Sequence, residues 1–452
     1  MAQVQRRTRW LAVSGALLTT TMLSACLQNP NANDSAGGAA GLNGYVDNAN
    51  KDGDKVVKIL GAFGGDEQAL FEKSLVDFEK SSGIDIQYTA DSDFTTTVKT
   101  KVNGGDAPDI ALFPQPGGLL ELAGQGKVQP IDSVLDYDTL ASTLIPGFLD
   151  SSRLKGRSYG APMRMAVKSI VWYPKPAYED AGGTTEAKSL QELAKSTDAI
   201  KADGTAPWCM GWGSDAATGW VGTDWIEEMV LRVSGPDVYD QWVSHKIPFN
   251  DPQIIKAFAE FAKIAKTDGN VFGGAKNVIN TAFGDTMNPA FQTPPKCYLM
   301  RQGNFVSGFL PKPVQADLDN KVGIFVFPPL EGGYGGQPIL GGGDLAALFN
   351  GNDQDSIEVM KFLTSDKFGG PWAKAGGWLS PHKTFDAANY PNEITKKMAQ
   401  IVADADVFRF DASDLMPKEV GSGSFWTEMV KWMQGQDDKT TATNIENTWP
   451  KS

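Results

Sequence analysis

Residues 55–113 read KVVKILGAFGGDEQALFEKSLVDFEKSSGIDIQYTADSDFTTTVKTKVNGGDAPDIALF. KVVKILGAF is a short β-branched and apolar run, which predicts a strand ending at Gly64-Gly65-Asp66. EQALFEKSLVDFEKSSG then sets Leu70, Phe71, Leu75 and Phe78 at helical spacing, with Gly83 as a C-terminal stop. IDIQYTA alternates as a second strand, FTTTVKTKVNGGDAP is a helix closed by glycines, and DIALF is a third strand. Strand, helix, strand, helix, strand is the order of a parallel α/β sheet, whose ligands sit beyond the carboxyl ends of the strands. Those ends fall at residues 64–67, 90–94 and 114–118, so Asp66, Asp91 and Gln115 are candidate ligand contacts.

Outward from this block, the amino terminus decides the compartment. MAQVQRRTRW is basic, LAVSGALLTTTML is apolar, and LSAC closes the run at Cys26, which together predict a secretory signal over 1–25. The apolar run is too short and too rich in Thr and Ser for a membrane span. A small residue directly before Cys26 is similar to a bacterial lipobox, so Cys26 is expected to be lipidated on the outer face of the cytoplasmic membrane. Residues 26–54 are small, polar and Gly/Asn/Asp-rich, the composition of a flexible tether.

The formal charge is −13, and removal of Arg6, Arg7 and Arg9 makes it about −16. Without a basic run to offset it, such a surface excludes nucleic acid as a partner. His245 and His382 are far apart in sequence and in no ligand spacing, so no metal or cofactor is expected. After Cys26 the remaining cysteines are Cys209 and Cys297, and an exported chain permits either one bridge between them or two buried thiols.

The order of the lipobox, GGDEQALFEKSLVDFEKSSGIDIQY, GGDAPDIALFPQPGGLLELAGQGKVQPID and KGRSYGAPMRMAVKSIVWYPKPAYEDAG resembles the extracellular solute-binding proteins of bacterial ABC importers, in the carbohydrate-binding group related to maltose-binding protein. The likeness continues to SDLMPKEVGSGSFWTEMVKWMQG near the carboxyl terminus. It implies a two-lobed α/β fold with a hinge and a ligand cleft, with residues 55–163 and 340–370 as the first lobe and 164–339 and 371–452 as the second. Crossing points are expected at 163–169 and at 338–343, where QPILGGG offers conformational freedom. The PWC…GW…DWIEE and KCYLMRQGNF segments most resemble the α-glucoside-binding branch, in which these two cysteines pair and maltose-like or trehalose-like sugars are bound. A monomer that hands its carbohydrate to membrane permease subunits, held to the membrane by lipid, is the implied working form.

A sugar offers C–H ring faces and hydroxyl edges, so its site needs flat aromatic surface beside carboxylates, amides or guanidinium groups. APWCMGWGSDAATGWVGTDWIEE, residues 206–228, holds four of the twelve tryptophans. Trp220 and Asp224 fit a cleft wall, although Asp224 and Glu227 also have capping-box spacing. Trp208, Trp212 and Trp225 read as core, and Glu227 and Glu228 as a solvated helix face. Trp172, Trp378 in AGGWLSP, and Trp426, matched to the family's stacking tryptophan, are further candidates. Arg409, in FRFDASDLMP with Asp411 and Asp414, offers forked hydrogen bonds or an ion pair with one of those aspartates. Gly342, in the run 341–343, offers backbone hydrogen bonds. The competing classes are an exported glycoside hydrolase, since that chemistry also pairs acids with aromatics, and a binder of another small polar solute. No G-x-S-x-G supports a serine hydrolase, so no catalytic residue is assigned.

Overall fold

The computed structural model describes residues 54–405 and 407–451. The signal, Cys26 and nearly all of the tether lie outside the described residues. The opening block folds as β1 (Val56–Gly61), α1 (Gly65–Ser82), β2 (Asp85–Ala90), α2 (Phe94–Gly104), β3 (Ile110–Phe113) and α3 (Pro116–Gly124). β1 lies between β2 and β3, parallel to both. Helix α1 buries Phe71 and Leu75 against this sheet, with Leu70 and Phe78 packed at its margin. It stops at Gly83, whose φ of 74° suits glycine and whose N–H returns to Glu79 at 2.8 Å.

The sheet is completed from distant sequence. Strand Ile339–Leu348 pairs antiparallel with β3 and, on its other edge, with Ala161–Val167, while Phe408–Phe410 joins it in parallel. A second, three-stranded sheet holds Ile170–Pro174 between Met300–Arg301 and Val322–Val326. Helices Trp220–Ser234 and Pro252–Ala265 cover it, the latter through Ile254, Ala257, Phe258 and Phe261. The fold is two-lobed α/β, each lobe with a sheet of its own.

Three crossings lie side by side. Lys168 N donates to Leu340 O at 2.8 Å, Leu340 N to Ser169 Oγ at 2.8 Å, and Asp411 N to Gly341 O at 2.8 Å. The two predicted crossing segments are therefore one hydrogen-bonded seam. The glycines in it serve close packing rather than freedom: a Cβ on Gly341 would lie 2.3 Å from the Phe408 ring, and one on Gly343 2.1 Å from Arg164 O. Residue 164 is inside a first-sheet strand, so that boundary moves to Lys168. The expected start of second-lobe sequence at 371 also moves. Trp372 meets the Phe63 ring at 5.2 Å and Trp378 meets Phe368 at 6.0 Å, which puts them on the first core. From Ala412 onward the chain packs on the second core, through Met416, Val420 and Phe425. Cys209 and Cys297 form a disulfide. No described helix is long and apolar enough to cross a membrane.

Candidate ligand-binding cleft

Helix Trp220–Ser234 begins at Gly219, where φ is 118°. A Cβ there would lie 2.1 Å from Trp426 O, so glycine lets the helix start against the backbone of Trp426. That contact brings Trp220 and Trp426 to the same cavity of about 340 Å³, with Phe283, Phe305 and Phe309. The Trp220 ring is 4.9 Å from Phe283 and 6.2 Å from Phe305, and its Nε1 donates to Ser214 Oγ at 2.9 Å. Phe309 meets Phe283 at 5.3 Å and is 50% exposed, a large apolar ring left facing solvent. Trp426 is half-buried and, among the described residues, its Nε1 has no hydrogen-bond acceptor.

The floor is ionic. Lys168, at the seam, places Nζ 2.9 Å from Asp224 Oδ1 and 2.5 Å from Asp411 Oδ2. Its ammonium also lies 5.5 Å from the centre of the Trp220 ring. Asp411 accepts from Ser413 Oγ at 2.7 Å and Asp414 N at 3.1 Å, capping the turn 412–415. Glu227 accepts from Ala412 N and Ser413 N, both at 3.1 Å. Burial pushes the Asp224 carboxyl up to about 7 despite Lys168. Burial acts on Asp411 in the same sense, but the Lys168 charge and the hydrogen bonds from Lys168 and Ser413 together hold it below the usual carboxylate range. Burial, then the Asp411 charge, raises both Glu227 and Asp414 well above that range.

The first lobe supplies the opposite bank. Arg164 Nε meets Asp344 Oδ2 at 2.5 Å and Nη1 meets Glu67 Oε1 at 2.7 Å, with the guanidinium 4.6 Å from the Phe63 ring centre. Arg164, Lys168, Phe305 and Asp414 border both this cavity and an adjoining one of about 140 Å³ that Gly342 and Asn304 also line. Carboxyl oxygens of Asp224, Glu227 and Asp411 lie within 4.8 Å of one another, the spacing of a cation site. Lys168 already brings a positive charge to two of them, so this is a lysine–acid cluster.

Of the sequence candidates, Gln115, Trp220, Asp224, Gly342 and Trp426 line these cavities. Asp66, Asp91, Trp172, Trp378 and Arg409 do not. Asp66 is exposed in the first turn of α1, where its neighbour Glu67 faces the cleft. Asp91 accepts from Asp93 N at 2.8 Å within a turn. Trp172 is fully buried in the second sheet, with Nε1 donating to Gln302 O at 2.9 Å. Trp378 is buried between Phe368 and Phe385. Arg409 is held by a forked pair to Asp240 at 2.6 and 2.8 Å, not by Asp411 or Asp414.

The helix acids also need correction. Asp224 lies in the second turn of its helix rather than at the cap. Glu227 and Glu228 are wholly buried, Glu228 between Arg232 and Arg301 at 2.8 Å each. Trp208, Trp212 and Trp225 are core, as expected. The sequence reading missed Glu67, Arg164, Lys168, Phe283, Phe305 and Phe309. Alternation in MRMAVK, with Met163, Met165 and Val167 buried, marks Arg164 and Lys168 as the other face. The phenylalanines sit in irregular turns that carry no periodic signal.

Residues 64–370 match the model of the bacterial extracellular solute-binding protein family. The chain belongs to that family. It is 37% identical over 443 residues, 98% of this chain and all of the relative, to the "Osmoprotective compounds-binding protein GgtB" of Synechocystis sp.. It is 34% identical to the "Alpha-glucosides-binding periplasmic protein AglE" of Rhizobium meliloti, over 87% of each chain. Among solved structures, the bacterial solute receptor AcbH superposes with a TM-score of 0.73 at 17% identity, covering 87% of this chain and 97% of that one. The maltose-bound MalE3 of T. maritima superposes with a TM-score of 0.65 at 17% identity, covering 87% and 98%. These two likenesses show the fold, and the family is one of binding proteins of ABC transporters rather than enzymes.

Proposed function

We propose that this solute-binding protein captures a neutral, hydroxylated solute of the α-glucoside class, maltose-like or trehalose-like in size, and delivers it to an ABC permease. The observation that carries the reading is an aromatic wall, Trp220 with Trp426 and Phe305, standing over a floor whose two cations are each already paired within the protein. Arg164 is held by Asp344 and Glu67, and Lys168 by Asp224 and Asp411. An anionic solute would have to break those pairs, whereas hydroxyls can share their lone pairs and protons with the carboxyls. The aromatic faces suit C–H ring faces, and a cavity of about 340 Å³ lies within the range of small-molecule sites. The name of one relative, for α-glucosides, supports this class, while the other relative is named for osmoprotective compounds.

A hydrolase reading is less well supported. Glycoside hydrolysis needs two carboxyls on either side of the scissile bond, whereas Asp224 and Asp411 share the one Lys168 ammonium on the cleft floor. Lipid anchoring through Cys26, a monomeric state and residence on the outer face of the cytoplasmic membrane complete the proposal. A thermal-shift panel of trehalose, maltose, longer maltooligosaccharides and glycine betaine tests it, because a ligand bound by the native state alone raises the melting temperature. A shift with the glucosides and none with the zwitterion is expected; a shift with betaine alone would overturn the solute class. Release of Cys26→Ser protein from washed membranes tests the anchor.

A further inference from the structure

We propose that the adjoining compartment of about 140 Å³ is an inner subsite of the cleft, that it takes the hydroxylated unit of the solute which the aromatic wall leaves uncovered, and that Gly342 keeps it open. This rests on the reading of the cleft as a site for a neutral α-glucoside. The compartment shares Arg164, Lys168, Phe305 and Asp414 with the larger cavity, so one solute can span both. Three glycines line it, and they are glycine on different grounds. Gly343 has no room for a side chain, since a Cβ would lie 2.1 Å from Arg164 O, and Gly377 holds a φ of 79° that favours glycine. Gly342 has neither constraint. It lies inside the strand Ile339–Leu348, opposite Ala166. A Cβ on it would meet nothing closer than Lys168 Cε at 3.8 Å and Phe410 Cε1 at 3.9 Å, which are ordinary van der Waals distances. Glycine inside a strand is less stable than alanine. Where neither backbone nor packing asks for it, the remaining reason is a ligand that approaches closely.

The lining fits a hydroxylated guest. Arg164 gives Nε to Asp344 and Nη1 to Glu67, and its Nη2 makes no hydrogen bond among the described residues. Lys168 gives two of its three protons, to Asp224 and to Asp411. Each cation thus keeps a donor for a neutral oxygen without breaking an existing pair. A hydroxyl that accepts from either can donate in turn to carboxyl oxygens of Asp344 or Asp414, which line the same space. A cavity of about 150 Å³ admits a ring the size of benzene, so the compartment has room for one edge or end of a sugar unit and not for an extended chain. Because Lys168 borders both cavities and stands next to the empty side-chain position of Gly342, a methyl group there would narrow the passage between them.

Gly342→Ala and the bulkier Gly342→Val, titrated calorimetrically with maltose, trehalose and methyl α-glucoside and melted without solute, test this. Maltose and trehalose should bind about tenfold more weakly to Gly342→Ala, the scale of forcing one added methyl group into an occupied space, and more weakly still to Gly342→Val. Methyl α-glucoside, which ends at its first ring, should keep its wild-type affinity. The melting temperature of Gly342→Ala should equal or exceed that of wild type, because alanine suits a strand better than glycine. Wild-type affinity for all three sugars in both variants would overturn the subsite. Equal loss for all three would also overturn it, since the ring on the aromatic wall would then be the one displaced. So would a melting temperature of Gly342→Ala below that of wild type, which would make the glycine a packing requirement of the strand. If wild type itself binds none of the three, the glucoside reading fails and the subsite with it, a result told apart from the others before any variant is measured.

Discussion

Lys168 is the residue on which the floor depends. Its ammonium lies against two buried carboxyls, so Lys168→Met should cost about 3–5 kcal/mol, the usual effect of stranding one side of a buried ion pair; urea denaturation measures it. Arg409→Ala removes a pair whose Asp240 partner is about half exposed and should cost less than about 1 kcal/mol with sugar affinity unchanged. The Asp224 carboxyl gives a signed pH effect. Its folded titration point, about 7, is above the unfolded value near 3.9, so its stabilisation is complete below about pH 4 and lost as pH rises through 7. Thermal melts should therefore show wild type losing stability relative to Asp224→Asn across that interval. At this scale sequence resolved some contacts and missed their neighbours. Asp66 and Glu67 are indistinguishable as strand-end acids until the helix phase is known. Trp172 and Trp378 are as amphipathic in composition as Trp220, and only tertiary packing separates core from cleft.

At the level of elements, the parallel block from β1 to β3 was legible because strand and helix periods alternate cleanly and each helix ends on glycine. The helix Trp220–Ser234 was not. It is buried on nearly every face, and Asp224, Glu227, Glu228 and Arg232 meet polar partners on other chain segments, so the rule that acids mark the wet face fails. Its charged residues instead fasten the ends of other elements: Arg232 donates to Phe327 O, Pro328 O and Pro338 O, beside the seam. The start of this helix is exacting. Gly219→Ala should destabilise the fold by about 1–3 kcal/mol through overpacking and strain at positive φ, and should weaken sugar binding by pushing Trp220 away from Trp426. Comparing the melting temperature with calorimetric affinity for the same variant checks both effects.

For the whole molecule, the two-lobed architecture followed from the order of motifs, while the lobe boundaries needed the structure, because the first sheet takes strands from residues 161–167, 339–348 and 408–410. Cleft and hinge are contiguous: Lys168 lines the one, and its backbone and that of Leu340 make the other. A solute that touches both banks favours the closed form by its differential contacts. Sugar should accordingly lower the radius of gyration seen by small-angle X-ray scattering. The central claim is that an intact neutral glucoside is held against the Trp220 and Trp426 wall. Calorimetric titration of maltose and trehalose into wild type and Trp426→Ala, with the sugar recovered afterwards, tests it most directly. The predicted result is saturable binding of unhydrolysed sugar that is at least about tenfold weaker in the variant; equal affinity in both proteins, or free glucose in the recovered solution, would contradict it.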